Sequence, residues 1–577
     1  WKTLQANLEM RLAGWRNRQR LAALAKQVAA NARQSPGQAP IVVVNVSSRL
    51  TGLSLNAAFS LIASWGLRLA GAPVKHFVCD QGLNPCVLGT NREDYTASPP
   101  CQACISQSNR LWAGADVHRF RYHADQDLQK ALEGLSIEEL SVFEYPFTDR
   151  RLKESERGTA SIPLGKLVMP SLRWALRRHN MPEAGSPQYE AVRRLLRQYI
   201  LSAYSIAQGF AAFFNETMPA AVLIFNGAMY PEAAARWAAL QRGVRTVTHE
   251  VGFQQFSTFF TEKEATAYPL DIPPDFKLTP EQDKRLDDYL QKRFQGEFTM
   301  AGIRFWPEIR GLDPTFLQKA ASFRQVVPVF TNVVYDTSQM HANVVFPHMF
   351  AWLDEVLKII RAHPETLFII RAHPDEMRPG SKKLSNESVE QWAQRHGVYD
   401  LPNVVMIGPL EYLSSYELIQ LAKFVIVYNS SIGMEAALLG SAVICGGKAR
   451  YTQLPIVNFP SSAEAFRRQV EEFLDANSPE EQKPGNITAR TRQRIPIPPE
   501  YQQNARRFLY WQLYRASLPM GRYLQVSQRQ GFVQLRSFSW RDLLPENSAS
   551  MRVVIDGMLH GKAFLVDDDE FESNGAA

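Results

Sequence analysis

Three polar clusters in the C-terminal half of the chain each follow an apolar run, and their residue types suit an anionic ligand. They are Thr331-Asn332, Arg371-Ala372-His373-Pro374 and Asn429-Ser430-Ser431. An imidazole at the end of a strand can donate to a phosphate and, once protonated, can neutralise the charge of a leaving group, which makes His373 a catalytic candidate. Pro374 stops the chain from continuing as a strand. Ser430 and Ser431 open a helix predicted from Ile432, where hydroxyls and backbone N–H groups make an anion site. Glu435, in the first turn of that helix, is within reach of a ribose. Arg371, with Lys382 and Lys383, adds positive potential. No Asp-x-Asp pair lies near these clusters, so phosphate stabilisation by His373, hydroxyls and a helix dipole fits better than Mg²⁺. In the N-terminal half, the run VRTVTHEVGF carries His249 and Glu250 to a strand end just before Gly252. A carboxylate there can take the proton of an acceptor hydroxyl. Glu250 is the first candidate for the base and His249 the second; the alternative is a surface glutamate making a loop contact.

A further group has metal-ligand chemistry. Four of the five cysteines fall in the pattern Cys79-x6-Cys86-x14-Cys101-x2-Cys104. A Cys-x2-Cys knuckle with a second, looser pair fits a tetrahedral thiolate site, since two short turns can aim four sulfurs at one ion. A structural Zn²⁺ is the expectation. An iron–sulfur cluster, a redox pair and unligated buried cysteines are the alternatives.

The elements that must position these residues read as α/β. Between Val327 and Pro455, strand-length apolar runs break into polar turns, and helical patterning follows most of them. That rhythm feeds a parallel sheet, whose ligands bind beyond the carboxyl ends of the strands. A similar rhythm appears earlier: a strand over Ile41 to Ser47 turning at Ser47-Ser48, a helix over Asn56 to Leu69, and a strand over Val74 to Asp80. Then come a strand ending at Asn226-Gly227 and a helix over Pro231 to Gln241. Two Rossmann-like domains are predicted, with 1–40 as a basic helix and linker, 41–270 as the first domain, 271–325 as a connection, 326–475 as the nucleotide domain and 476–577 as a return helix and acidic tail. The text from about Asp116 to Asn215 reads as helical, and its arginines (Arg173, Arg177, Arg178, Arg193, Arg194 and Arg197) read as a solvated face before an acceptor-binding one. The run YQQNARRFLYWQLYRASLP reads as one long amphipathic helix that crosses back to the first domain.

Composition narrows the class. At 577 residues the chain is too long for one core. No stretch approaches the roughly 20 apolar residues of a membrane span. Residues 1–40 hold seven Lys/Arg against one acid, Glu9, within a net charge of +7. A basic helix with Trp1, Leu4, Leu8, Leu12 and Trp15 suits either a solvated helix packed on the body, the favoured reading, or a peripheral contact with an anionic membrane face. No nucleic-acid motif or aromatic-interleaved basic stripe is present. The chain starts at Trp1 and its opening has no apolar core of signal-peptide type, so a cytoplasmic location is expected.

The motifs FTNVVYD, RAHPDE, PLEYLSSYELI and VYNSSIGMEAALLGSAVI, with the Tyr451–Pro455 segment, resemble the capsule-polysaccharide biosynthesis glycosyltransferases, a group that includes bacterial Kdo transferases. The His-Pro and Ser-Ser pair is also similar to bacterial sialyltransferases and, more distantly, to CDP-glycerol glycerophosphotransferases. FNG and HEVG resemble first-domain signatures of the same group; the cysteine cluster is outside its general pattern. The resemblance implies a GT-B architecture, with two Rossmann-like domains facing across a cleft, and a nucleotide-sugar donor, CMP-linked, whose sugar passes to a hydroxyl of a surface glycan. It also implies that His373, Ser430 and Ser431 hold the donor phosphates, Glu435 the ribose, and Glu250 the proton. His-Glu-Val-Gly departs from the paired acids followed directly by Gly of sialyltransferase-like enzymes. The alternatives are a CDP-polyol phosphotransferase, a non-catalytic nucleotide-binding scaffold of polysaccharide assembly, and a UDP-sugar epimerase.

Overall fold

The computed structural model describes residues 2–33, 35, 37–46, 52–148, 160–294, 299–300, 303–304, 310–377, 384–476, 494–528 and 531–568. Ser47, Ser48, Lys382 and Lys383 lie outside the described residues, as does the acidic end of the tail.

A 30-residue helix, α1 (Lys2–Asn31), precedes the first sheet. That sheet is built from β1 (Ile41–Asn45), β2 (Val74–Cys79), β3 (Asp116–Phe120), β4 (Ala221–Phe225), β5 (Arg245–Val251) and β6 (Ser257–Thr261). The second sheet holds β7 (Gln325–Phe330), β8 (Thr366–Arg371), β9 (Val404–Ile407), β10 (Val425–Val427) and β11 (Val443–Cys445). All residues of β1, β7 and β8 are buried, as expected of strands covered by helices on both faces.

The two sheets share one topology. The first runs β3–β2–β1–β4–β5, all parallel, then β6 antiparallel; the second runs β9–β8–β7–β10–β11, all parallel. In each half the strand order reverses beside the first strand, between β1 and β4 and between β7 and β10. This is the switch point of a doubly wound fold, where ligands bind beyond the strand ends. The chain is thus two Rossmann-like domains of GT-B type with helical extensions.

The helices follow the predicted periodicity with two exceptions. α2 (Leu55–Leu69) starts at Ser54, whose hydroxyl accepts from the Ala57 N–H at 3.3 Å. α3 (Cys101–Leu111), α4 (Leu164–Leu176), α5 (Tyr189–Thr217) and α6 (Tyr230–Leu240) complete the first domain, and α7 (Pro280–Phe294) lies in the connection. In the second domain α8 (Met349–Ala362) joins β7 to β8, and α9 (Ile432–Leu438) follows β10. The first exception is Asp116–Phe120, which is not helical but the edge strand β3. Paired on one side only and partly exposed, it needs no apolar run. The second is the aromatic-rich run, where α10 (Pro499–Tyr510) loosens into a π-helical turn over Trp511–Arg515.

After that turn the chain reaches the first domain. β12 (Leu518–Pro519) pairs antiparallel with β6, and α11 (Ala549–His560) packs on α2 so closely that a Cβ on Gly66 would meet Met551 Sδ at 3.0 Å.

Among the described residues, two sets of contacts join the domains. On one side Thr266 Oγ1 is 2.8 Å from His341 Nε2, and Gln453 bonds the Leu270 N–H and the Tyr268 carbonyl, each at 2.9 Å. On the other, Glu387 accepts from the N–H groups of His179 and Asn180 at 2.8 and 3.0 Å, and the Asn386 N–H donates to the Arg177 carbonyl at 2.8 Å. The Arg177 guanidinium stacks between Trp174, at 4.3 Å, and Tyr335 of the second domain, at 4.8 Å.

Candidate active site

Glu250 sits near the end of β5, beside the loop that follows β4. Asn226 occupies that loop at φ 29°, a left-handed conformation that Asn tolerates better than most residues. The bend turns its amide to Glu250, and Asn226 Nδ2 donates to Oε2 at 2.8 Å. The Val251 N–H and Asn56 Nδ2 donate to Oε1 at 2.8 and 3.4 Å. Burial pushes the carboxyl above the usual carboxylate range, and the negative charge of Asp336 adds to that push, while the three hydrogen bonds oppose it. Asp336 belongs to the second domain, in the loop after β7. The first domain's candidate base and that loop therefore share one electrostatic environment.

Three more side chains line the same region. Arg450, from the second domain, lies 4.5 Å over the ring of Phe253 and 5.2 Å over that of Tyr268. Burial works against its charge, with the Tyr268 and Tyr451 hydroxyls opposing that effect. The Tyr268 hydroxyl donates to the Val251 carbonyl at 2.8 Å, and its acidity is lowered by burial and by the nearby Glu250. Asp336, Arg450, Phe253 and Tyr268 were not singled out from the sequence. Asp336 closes the motif FTNVVYD and Arg450 precedes Tyr451, so position beside a motif was the only available signal.

His249 does not share this setting. Successive strand residues point to opposite faces, and His249 is fully buried on the α2 side with Nε2 2.8 Å from Ser60 Oγ. Its ring lies 5.7 Å from Phe225 and 5.5 Å from Phe260. This residue belongs to the first domain's core, which corrects its place as second candidate for the base.

In the second domain the loops after β7 and β10 meet at the switch point: Asn332 Nδ2 donates to Asn429 Oδ1 at 2.7 Å. Thr331 is buried and bonds the Arg371 carbonyl through its hydroxyl, at 2.9 Å, and through its N–H, at 3.2 Å. It clips β7 to β8. His373 and Pro374 follow β8 and start a 3₁₀ turn. His373 Nδ1 accepts from the Asp375 N–H at 3.2 Å, which puts the proton of a neutral ring on Nε2. Ser430 and Ser431 are half-buried at the start of α9; the Tyr451 hydroxyl donates to the Ser430 carbonyl at 2.8 Å.

Two other expected donor contacts are engaged elsewhere. Arg371 is buried, donates to the Leu413 carbonyl at 2.5 Å, and is pushed down to about 10 by burial, so it acts inside the sheet edge. Glu435 is 4% exposed. Its Oε1 pairs with Arg293 of α7 at 2.6 Å and its Oε2 accepts from the Tyr416 hydroxyl at 2.6 Å. A ribose would have to displace one of these partners. Glu376, also missed in the sequence, is fully buried beside His373's loop; Oε2 accepts from the Val389 N–H at 3.3 Å, Oε1 has no partner among the described residues, and burial pushes the carboxyl up to about 8.

Residues 309–472 match the model of a family described as capsule polysaccharide biosynthesis protein. This match covers the sheet of the second domain and stops short of the first domain. All the expected donor-side residues, from Thr331 to Glu435, lie within that capsule-biosynthesis segment, whereas His249, Glu250 and the cysteines lie outside it. No curated protein matches the chain. Among solved structures, the chain is similar to the KpsC beta Kdo 2,4 transferase of Thermosulfurimonas dismutans, at 12% identity over 55% of this chain and 84% of that one, with a TM-score of 0.33. It is also similar to the KpsC beta Kdo 2,7 transferase of the same organism, at 14% identity over 58% and 86%, TM-score 0.30. A UDP-GlcNAc 2-epimerase from Neisseria meningitidis gives 13% identity over 60% and 87%, TM-score 0.24. TM-scores this low leave the fold to be read from the strand order itself.

The cysteines stand apart from this cleft. Cys79, Cys86, Cys101 and Cys104 lie in one neighbourhood and form no disulfide. The Gly82 and Gly89 N–H groups donate to the sulfurs of Cys79 and Cys86 at 3.2 and 3.1 Å. Burial pushes both thiols up to about 12. Cys101 and Cys104 fall on the first turns of α3 instead of forming a knuckle. Among the described residues no group of three or more His, Cys, Asp or Glu is placed to hold a metal ion, so the arrangement does not support the Zn²⁺ expectation.

Proposed function

We propose that this chain is a glycosyltransferase that moves a sugar from a nucleotide donor to a hydroxyl of a capsular or surface glycan. The observation that carries the reading is Glu250: a carboxylate held by three hydrogen bonds, raised in pKa, and in electrostatic contact with Asp336 of the second domain. A general base works best with a pKa near the operating pH, and burial moves Glu250 in that direction.

In this reading the donor lies beyond the ends of β7 and β10. The Nε2–H of His373 and the hydroxyls of Ser430 and Ser431 hold its phosphates, Asn332 and Asn429 shape the crevice floor, and a CMP-linked sugar is the donor class that the motifs favour. Glu250 takes the proton of the acceptor hydroxyl as its oxygen bonds the anomeric carbon. The bond from that carbon to the phosphate oxygen breaks, and its electron pair leaves with the nucleotide, where His373 offsets the charge. The Arg450 guanidinium makes no hydrogen bond or ion pair among the described residues and stacks only on aromatic rings; its N–H groups are available to an anionic part of the donor.

The test is a thermal-shift series with CMP, CDP, UDP and GDP, since a ligand that binds only the folded state raises the melting temperature. CMP is expected to give the largest shift. Product analysis then separates sugar transfer, which releases the whole nucleotide, from transfer of a polyol phosphate. No shift with any nucleotide would overturn the reading.

A further inference from the structure

α1 carries an apolar face that the proposed reaction does not use. Its C-terminal half is packed on the body. Leu21, Leu24, Ala25 and Val28 are buried, Arg20 Nη1 donates to the Leu535 carbonyl at 2.8 Å, and Asn17 Oδ1 accepts from the Leu535 N–H at 2.8 Å. At 3.6 residues per turn, Asn17, Leu21, Leu24 and Val28 mark one side of the helix. Leu12 and Trp15 fall on the opposite side, 46% and 52% exposed. Exposed Arg11 and Arg18 border this pair on one side, and exposed Arg16 borders it on the other.

A tryptophan and a leucine facing water, rimmed by arginines, have the form of a helix that lies in a bilayer interface: the ring and the aliphatic chain enter the headgroup boundary while the guanidinium groups meet lipid phosphates. Charge favours an anionic lipid surface. Residues 1–40 hold seven Lys/Arg and one acid, Glu9. A second copy of the same helix is disfavoured, because a two-fold pairing would set arginine rims against each other. No helix of the described residues is long and apolar enough to cross a membrane, so the contact would be peripheral. We propose that the outward face of α1, centred on Leu12 and Trp15, docks the enzyme on an anionic membrane surface.

The full chain should sediment with phosphatidylcholine vesicles that contain phosphatidylglycerol, and not with pure phosphatidylcholine. Added salt should weaken the binding. R11Q/R18Q should lower the partition coefficient by roughly tenfold or more, the scale for two basic residues near a charged surface. L12Q/W15Q should lower it similarly. Both variants should melt at the wild-type temperature, because the altered side chains are exposed. Failure to bind the anionic vesicles at low salt would overturn the proposal. So would unchanged binding by L12Q/W15Q, or a wild-type dimer that this variant dissociates in the absence of lipid. None of these readouts depends on catalysis.

Discussion

The guanidinium of Arg450, carried by the second domain, lies 4.5 Å from the centre of the Phe253 ring in the first. A stack of this kind contributes about 0.5–2 kcal/mol, depending on how dry it is. R450A should therefore lower the melting temperature only slightly while reducing kcat/KM by at least tenfold, since the same guanidinium faces the proposed donor. R450K keeps the charge but not the planar stack, and should recover little. Wild-type kinetics in R450A would remove Arg450 from the site.

Glu250 must be ionised to accept a proton, so activity should rise with pH, along a limb above the ordinary carboxylate range. Asp336 raises this pKa and Asn226 lowers it. D336N should accordingly shift the limb to lower pH, and N226L should shift it higher. E250Q should keep nucleotide binding while turnover falls by about 10²- to 10⁴-fold, the usual contribution of a general base. The check is the pH–rate profile of each variant; a limb that none of the three moves belongs to another group.

At His373 the two ring nitrogens have different tasks. Nδ1 accepts from the Asp375 N–H at 3.2 Å, and Nε2 is the atom proposed to meet the donor. Glutamine places its amide near Nε2 and asparagine places its own near Nδ1. H373Q should thus retain more nucleotide affinity than H373N, and H373A should lose roughly 10²-fold in turnover. Equal nucleotide shifts in all three variants would mean that the imidazole does not touch the donor.

Glu376 predicts a pH-dependent stability. Its folded carboxyl is pushed up to about 8 by burial, above the ordinary glutamate value of 4.5. The folded state thus binds the extra proton between these values, and stability is lost as pH rises through about 8. E376Q stays neutral throughout, so its melting temperature should gain on the wild type as the pH climbs from acid to alkaline. Parallel curves for the two proteins would refute the buried, protonated state.

The cysteine neighbourhood has a chemical test. With thiols pushed up to about 12, Cys79 and Cys86 should alkylate slowly in the folded chain at neutral pH and fully after unfolding. Elemental analysis for zinc decides whether the four sulfurs hold an ion. Bound zinc, with labelling released by a chelator, would restore the four-sulfur site.

Much of the fold was legible because the central strands are buried on both faces. Ile41–Asn45, Val326–Phe330 and Leu367–Ile370 are apolar runs that hardly suit another element. Asp116–Phe120 lacked that signature, since an edge strand tolerates polar residues on its open side. The site was legible where chemistry follows a strand end, as at His373 and Glu250. It was not where a partner is distant in sequence. Glu435 could be placed on its helix, but its ion pair with Arg293 spans 142 residues of chain. The opposite faces of His249 and Glu250 depend on strand register, which an adjacent pair in a sequence does not reveal.

The edge strand Leu518–Pro519 and the helix Ala549–His560 complete a domain whose other strands end at Thr261. The first lobe is therefore spelled in two distant passages of the gene, with the whole second lobe written between them. A single unbroken segment suffices to exchange the second lobe with a relative, leaving the first lobe whole. The reverse exchange needs both flanks to move together, so the second lobe is the easier of the two to replace by recombination.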